Sequence, residues 1–74
     1  MTEGILIDPA VCHGKPVIAG TRVLVSTVLG ALAGGDSNAM VCDDYQITGG
    51  QLSAALQFAA NMADLQVSAY EAVA

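Results

Sequence analysis

The apolar positions change their spacing along the chain. Ile5, Leu6 and Ile7 run consecutively and stop at Asp8-Pro9. That is a short strand closed by a turn, because proline has no N–H for a ladder. Pro9 to Lys15 reads as a loop. Pro16 fixes its own φ and pushes Lys15 into extended backbone. Val17-Ile18 and Arg22-Val23-Leu24-Val25 then flank the small-residue segment Ala19-Gly20-Thr21, which is a hairpin pattern. Such a hairpin is marginal alone and needs the first strand, a helix or another chain to cover it.

Beyond the hairpin the period becomes helical. Val25, Val28, Leu29, Leu32 and Ala33 share one face, with Ser26 as the expected N-cap and Gly34-Gly35 as the stop. Gly30 costs about 1 kcal/mol relative to alanine inside a helix and points to close packing. Asp36 or Ser37 opens a second helix, Asn38 to about Asp44, with Met40, Val41 and Tyr45 turned inward. Its acidic end, Asp43-Asp44, opposes the helix dipole and is expected to fray or to meet a basic group. Thr48 and Gln51 match a capping box and open a third helix. Leu52, Ala55, Leu56, Ala59 and Met62 or Ala63 make its apolar stripe, while Gln51, Ser53, Gln57 and Asn61 lie elsewhere on its surface. The Tyr45 and Phe58 rings belong with the core. From Leu65 the pattern weakens, and Val67, Tyr70 and Val73 continue the helix or form a tail.

The fold class that follows is mainly α with a small N-terminal β element. A short strand and β-hairpin precede a three-helix, helix-turn-helix-like bundle. Residues 1–64 make up the domain, and residues 65–74 a C-terminal tail or helix extension. The second and third helices, joined by Gln46-Ile47-Thr48, stand where a helix-turn-helix protein carries its DNA-reading pair.

Composition adds a need for a partner. The chain has 74 residues, of which 54% are hydrophobic. A core of this size rarely supplies more than about 3–5 kcal/mol, and much of the apolar content is alanine and valine. Part of that surface is therefore expected to be buried in a second copy, as a homodimer. The longest apolar stretch, Val23 to Ala33, is interrupted by Ser26, Thr27 and Gly30 and is too short for a bilayer. Glu3 and the missing basic start argue against a signal peptide, so a cytoplasmic location with no membrane partner is expected. Cys12 and Cys42 are then reduced thiols. No CxxC or HxxxH spacing completes a metal site, no cofactor is implied, and the adjacent Cys12 and His13 do not face each other as a nucleophile pair. An enzyme is not expected.

Charge narrows the choice of partner. Seven acids against two bases give a net charge of −5. Nucleic-acid affinity rests on lysine and arginine neutralising phosphates, so a lone copy is a poor DNA binder and a basic protein suits it better. Lys15 and Arg22 carry every formal positive charge. Together with Thr21 they are candidates for contact with phosphate or with a partner's carboxylates. The alternative is an internal ion pair with Asp8, Asp43 or Asp44. Ser53, Gln57 and Asn61 are candidates for reaching base edges; the alternative is a solvated face.

The run ILIDPAVCHGKPVIAGTRVLVSTVLGALAGG, then YQIT and QLSAALQFAA, resembles the bacterial proteins of domain-of-unknown-function family 433. Its most specific part is Gly14-Lys15-Pro16-Val17-Ile18 with Gly20-Thr21-Arg22. The resemblance covers about residues 5–60 and implies an antitoxin of the VapB type. Such a protein binds and neutralises a PIN-like nuclease toxin, and in some cases represses its own operon through operator DNA. The chain departs from the family at Gln46, where proline is usual, at Gly49-Gly50, where acids are usual, and at Asn38-Ala39-Met40, where a glutamate pair is usual. A stand-alone DNA-binding regulator and a dimeric structural module are the alternatives.

Overall fold

A computed structural model describes the backbone of residues 4–73 and the side chains of residues 4–64. The order is β1 (Ile5–Leu6), β2 (Val17–Ile18), α1 (Val25–Ala33), α2 (Asn38–Tyr45) and α3 (Gly49–Val73). The architecture is mainly helical, with a two-stranded antiparallel element ahead of three helices.

The strands pair Ile5 with Ile18 and Leu6 with Val17. Ile7, read as part of the first strand, is half exposed. The chain turns away at Asp8, whose carbonyl accepts from Val11 N at 2.8 Å and whose Oδ1 accepts from Ala10 N at 2.9 Å. Aspartate opening a turn with proline second is a strong turn pair, because proline presets φ and aspartate mimics a backbone acceptor. Lys15 is extended at φ −73, ψ 147, as its position before Pro16 requires.

The hairpin after β2 is shorter than its sequence suggests. Its turn is closed by Thr21 N donating to Ile18 O at 3.0 Å, with Gly20 at φ +81. The Thr21 hydroxyl donates to Ile18 O at 2.8 Å and accepts from Val23 N at 3.0 Å. Ile18 N reaches Val23 O at 3.0 Å, and Leu24 makes one bridge to Val17. There the returning arm ends, because Val25 is already helical. Val25 and Val28 are both buried, and only a helical period brings positions three apart onto one face. Ser26 is therefore an exposed residue of the first turn. The N-cap is Leu24, without a side-chain bond.

The helix ends are closed locally. At the end of α1, Gly35 N bonds Leu32 O at 3.1 Å and Asp36 N bonds Ala31 O at 3.1 Å. Gly35 sits at φ +107. This is a Schellman stop, which requires the left-handed region just past the helix. Ser37 caps α2 by accepting from Met40 N at 3.1 Å. Val41 is fully buried, but Met40 is 52% exposed. Adjacent helical positions point about 100° apart, so the two do not share the core. The acidic end of α2 is closed by local hydrogen bonds. Gln46 adopts a left-handed conformation (φ 55, ψ 47), its Nε2 donates to Asp43 O at 2.7 Å, and Ile47 N bonds Cys42 O at 3.0 Å. Proline, confined to φ near −65°, has no access to that conformation. The capping box at α3 forms reciprocally: Thr48 N to Gln51 Oε1 at 2.8 Å and Gln51 N to Thr48 Oγ1 at 3.1 Å.

One core joins all of this: Ile5, Ile18, Val25, Val28, Val41, Ile47, Leu52 and Ala55. Tyr45 and Phe58 are half-buried at its margin. The stripe on α3 is only partly used, since Leu52 and Ala55 are buried while Leu56 and Met62 are 39% and 43% exposed. Gly30 does not mark close packing. It is exposed, and an added Cβ would meet nothing within 4 Å.

Gly30→Ala is expected to stabilise the fold by about 0.5–1 kcal/mol. Gly35→Ala is expected to destabilise it by about 1 kcal/mol or more, because alanine is strained at positive φ. Urea unfolding of both variants checks the opposite signs. Thr21→Val removes a donor and an acceptor from one turn and is expected to cost about 1–2 kcal/mol in the same measurement.

Candidate functional site

The polar residues singled out from the sequence fall on two surfaces. The first is a groove of about 580 Å³ between the start of the chain and α3, lined by Gly4, Ala19, Thr48, Gln51, Ser53 and Gln57 among others. Its floor is set by close approach: a Cβ on Gly4 would lie 2.8 Å from the Ala54 Cβ. Ala19 N donates to Gly4 O at 2.9 Å and holds the chain start there. Ser53 and Gln57 are exposed along one wall. They lie four residues apart, so they share a helix face. Asn61 continues that face, and Gln57 Nε2 donates to Asn61 Oδ1 at 3.0 Å.

The second surface carries the cations. Lys15 and Arg22 are both exposed. Lys15 follows a turn, Cys12–Gly14, in which three successive residues have positive φ: 49, 59 and 81. Non-glycine residues are disfavoured there by about 1–2 kcal/mol each. The Cys12 Sγ donates to the Arg22 carbonyl at 3.8 Å, so this turn adjoins the one carrying Arg22. His13 is exposed on the same turn. The chain thus gathers its basic residues on two neighbouring turns.

Ser53, Gln57 and Asn61 therefore come together, as do the turns bearing Lys15 and Arg22. The cations do not line the groove that Ser53 and Gln57 line. Thr21 serves the turn itself, with its hydroxyl bonded on both sides. The groove also uses Gly4 and Ala19, which sequence reasoning did not select. Small size alone distinguishes them, and it becomes informative only once Ala54 is known to lie opposite.

No charged residue is buried among the described residues, so neither cation requires a buried acid. Asp43, Asp44 and Asp64 are exposed, while Asp8 and Asp36 are half-buried. Cys12 and Cys42 are free and half-buried. Among the described residues no three histidine, cysteine or acidic side chains are grouped to hold a metal ion. None of their helices is long and apolar enough to cross a membrane. The arrangement offers a polar wall and a cationic corner for contact with another molecule.

The chain is 42% identical over 52 residues to a protein of Mycobacterium tuberculosis named "Putative antitoxin VapB45". The match covers 70% of this chain and 22% of that relative, so the chain spans about a fifth of its length. The crystal structure of Rv2018 from Mycobacterium tuberculosis superposes with a TM-score of 0.63 at 42% identity, over 70% of this chain and 24% of that one. The profile of the family described as "Protein of unknown function (DUF433)" matches residues 5–59. The chain belongs to the DUF433 family.

Proposed function

We propose that the protein is a non-enzymatic, antitoxin-like regulator of the cytoplasm, a homodimer that binds and neutralises a PIN-like nuclease toxin. The observation that carries this reading is the 42% identity over 52 residues to a relative named as an antitoxin. The net charge of −5 supports it, since an acidic surface is drawn to a basic partner by long-range attraction. Exposed Asp43 and Asp44 at the end of α2 support it by offering two neighbouring acids to such a partner.

In this reading operator DNA is contacted only by the assembled complex. Ser53, Gln57 and Asn61 supply groups that can address base edges. Gly49–Val73 contains no lysine or arginine, so α3 itself has nothing to hold on the phosphates. Lys15 and Arg22 of two copies, joined by the toxin's basic residues, would supply that electrostatic part.

Co-expression with a PIN-like nuclease, sought in the neighbouring reading frame, is expected to restore growth, and purification of either protein is expected to recover both. Survival of toxicity despite co-expression would count against the reading. Asp43→Lys with Asp44→Lys is expected to slow association about tenfold at low salt, with the difference shrinking at high salt. Stopped-flow mixing at two ionic strengths measures this.

A gel shift on the promoter of its own operon, at about 50 mM salt, is expected to show binding by the complex and none by the free chain. Binding by the free chain would favour the stand-alone regulator instead.

A further inference from the structure

We infer that the two neighbouring turns that carry Lys15 and Arg22 form a preformed site for a phosphate group. Charge is segregated along the chain. Residues 9–35 hold both bases and none of the seven acids. The acid nearest Lys15 in sequence, Asp8, is half-buried, and its Oδ1 accepts from Ala10 N at 2.9 Å. Lys15, Arg22 and His13 are all exposed, so the corner they occupy is open to a ligand in solution.

The turns are fixed before any ligand arrives. Thr21 N and the Thr21 hydroxyl both donate to Ile18 O, at 3.0 and 2.8 Å, and the hydroxyl accepts from Val23 N at 3.0 Å. Arg22 stands between Thr21 and Val23. On the other turn, Gly14 N donates to Val11 O at 3.1 Å and Lys15 N to Cys12 O at 3.2 Å. That turn keeps two non-glycine residues, Cys12 and His13, at φ 49 and 59. Such conformations persist only where surrounding contacts impose them, and they gather at ligand clamps. The Cys12 Sγ donates to the Arg22 carbonyl at 3.8 Å and ties one turn to the other. The backbones that bear the two cations are thereby held together, which lowers the ordering cost of gripping one anion.

Charge balance selects the ligand. A carboxylate brings one negative charge and leaves one of the two cations unanswered. A phosphate monoester carries about two near neutral pH, and its oxygens suit both the arginine fork and the lysine point charge. The same chemistry recurs along a nucleic-acid backbone. The net charge of −5 repels a long polyanion more than a compact one, whose contact is confined to within a Debye length of the corner. The site deepens the phosphate contact proposed above for Lys15 and Arg22 and does not depend on the toxin.

Inorganic phosphate titrated into the full chain at constant ionic strength, with chloride as the reference, tests it by backbone amide NMR. Saturable shifts are expected at residues 13–15 and 21–23, half-complete at about millimolar phosphate. Lys15→Gln and Arg22→Gln are each expected to weaken binding about threefold, as befits exposed charges. Cys12→Ala keeps both charges, unties the turns and is expected to weaken binding too. Cys12→Ser, which still donates to the Arg22 carbonyl, retains it. Circular dichroism confirms that each variant is folded; should Cys12→Ala unfold, the Lys15 and Arg22 variants decide. A short single-stranded oligonucleotide at the same phosphate concentration separates the two sources. Tighter binding at the same amides supports the site and assigns it to a nucleic-acid backbone; weaker binding supports it and assigns a free phosphate. Shifts no larger than those in chloride, shifts centred on residues 49–51, or indifference to both Lys15→Gln and Arg22→Gln overturn the site. Indifference to Cys12→Ala overturns the role of the tie. Phosphate binding without operator binding by the complex overturns the operator reading alone, and operator binding without phosphate binding overturns the site alone.

Discussion

The fold depends on one cross-strand pair. Ile5 and Ile18 stand opposite each other in a ladder only two residues long, and both are fully buried. A two-stranded ribbon this short has no independent stability. It persists because Ile5 and Ile18 belong to the same cluster as Val28 of α1, Val41 of α2 and Leu52 of α3. The ladder in turn places Gly4 against α3 and delivers Leu24 to the start of α1. Removing either isoleucine would therefore loosen the strands and every helix they position.

With so small a core, the connections have to be nearly self-sufficient. Each is closed by groups within a few residues: Asp8 at the first turn, Thr21 at the second, Gly35 after α1, Ser37 before α2, Gln46 after it, and Thr48 with Gln51 at α3. Local closure satisfies polar groups that the core cannot cover. On α3, Leu56 and Met62 remain accessible beyond the core.

The features legible in the sequence were those set by neighbours in the chain. The capping box at Thr48 and Gln51, the Ser37 cap, the Gly34-Gly35 stop and the extended Lys15 all follow from local stereochemistry. The features that escaped were set by distant contacts. Val25 reads equally well as strand or helix, and its burial with Val28 decides for helix. Met40 and Val41 are both apolar, and only the position of α2 on the core shows which one is inside. Gln46 is a local exception: it is left-handed without a glycine or asparagine signal, and its side-chain amide holds the last turn of α2 through Asp43. For the candidate site, the Ser53–Gln57–Asn61 face was readable from helical spacing. Its groove was not, because Gly4 and Ala19 enter from a segment more than thirty residues away.

The distribution of charge ties these observations to function. An acidic chain could scatter its two cations for solubility, but here both stand on neighbouring turns linked by the Cys12–Arg22 contact. The polar wall of α3 is separate from them and has no cation of its own. A single copy therefore holds an uncharged polar face on one surface and its two cations on another. Two cations per copy neutralise few phosphates, so such a division would gain nucleic-acid affinity only where more cations are brought together. For the proposed operator contact, assembly would then be a condition of recognition.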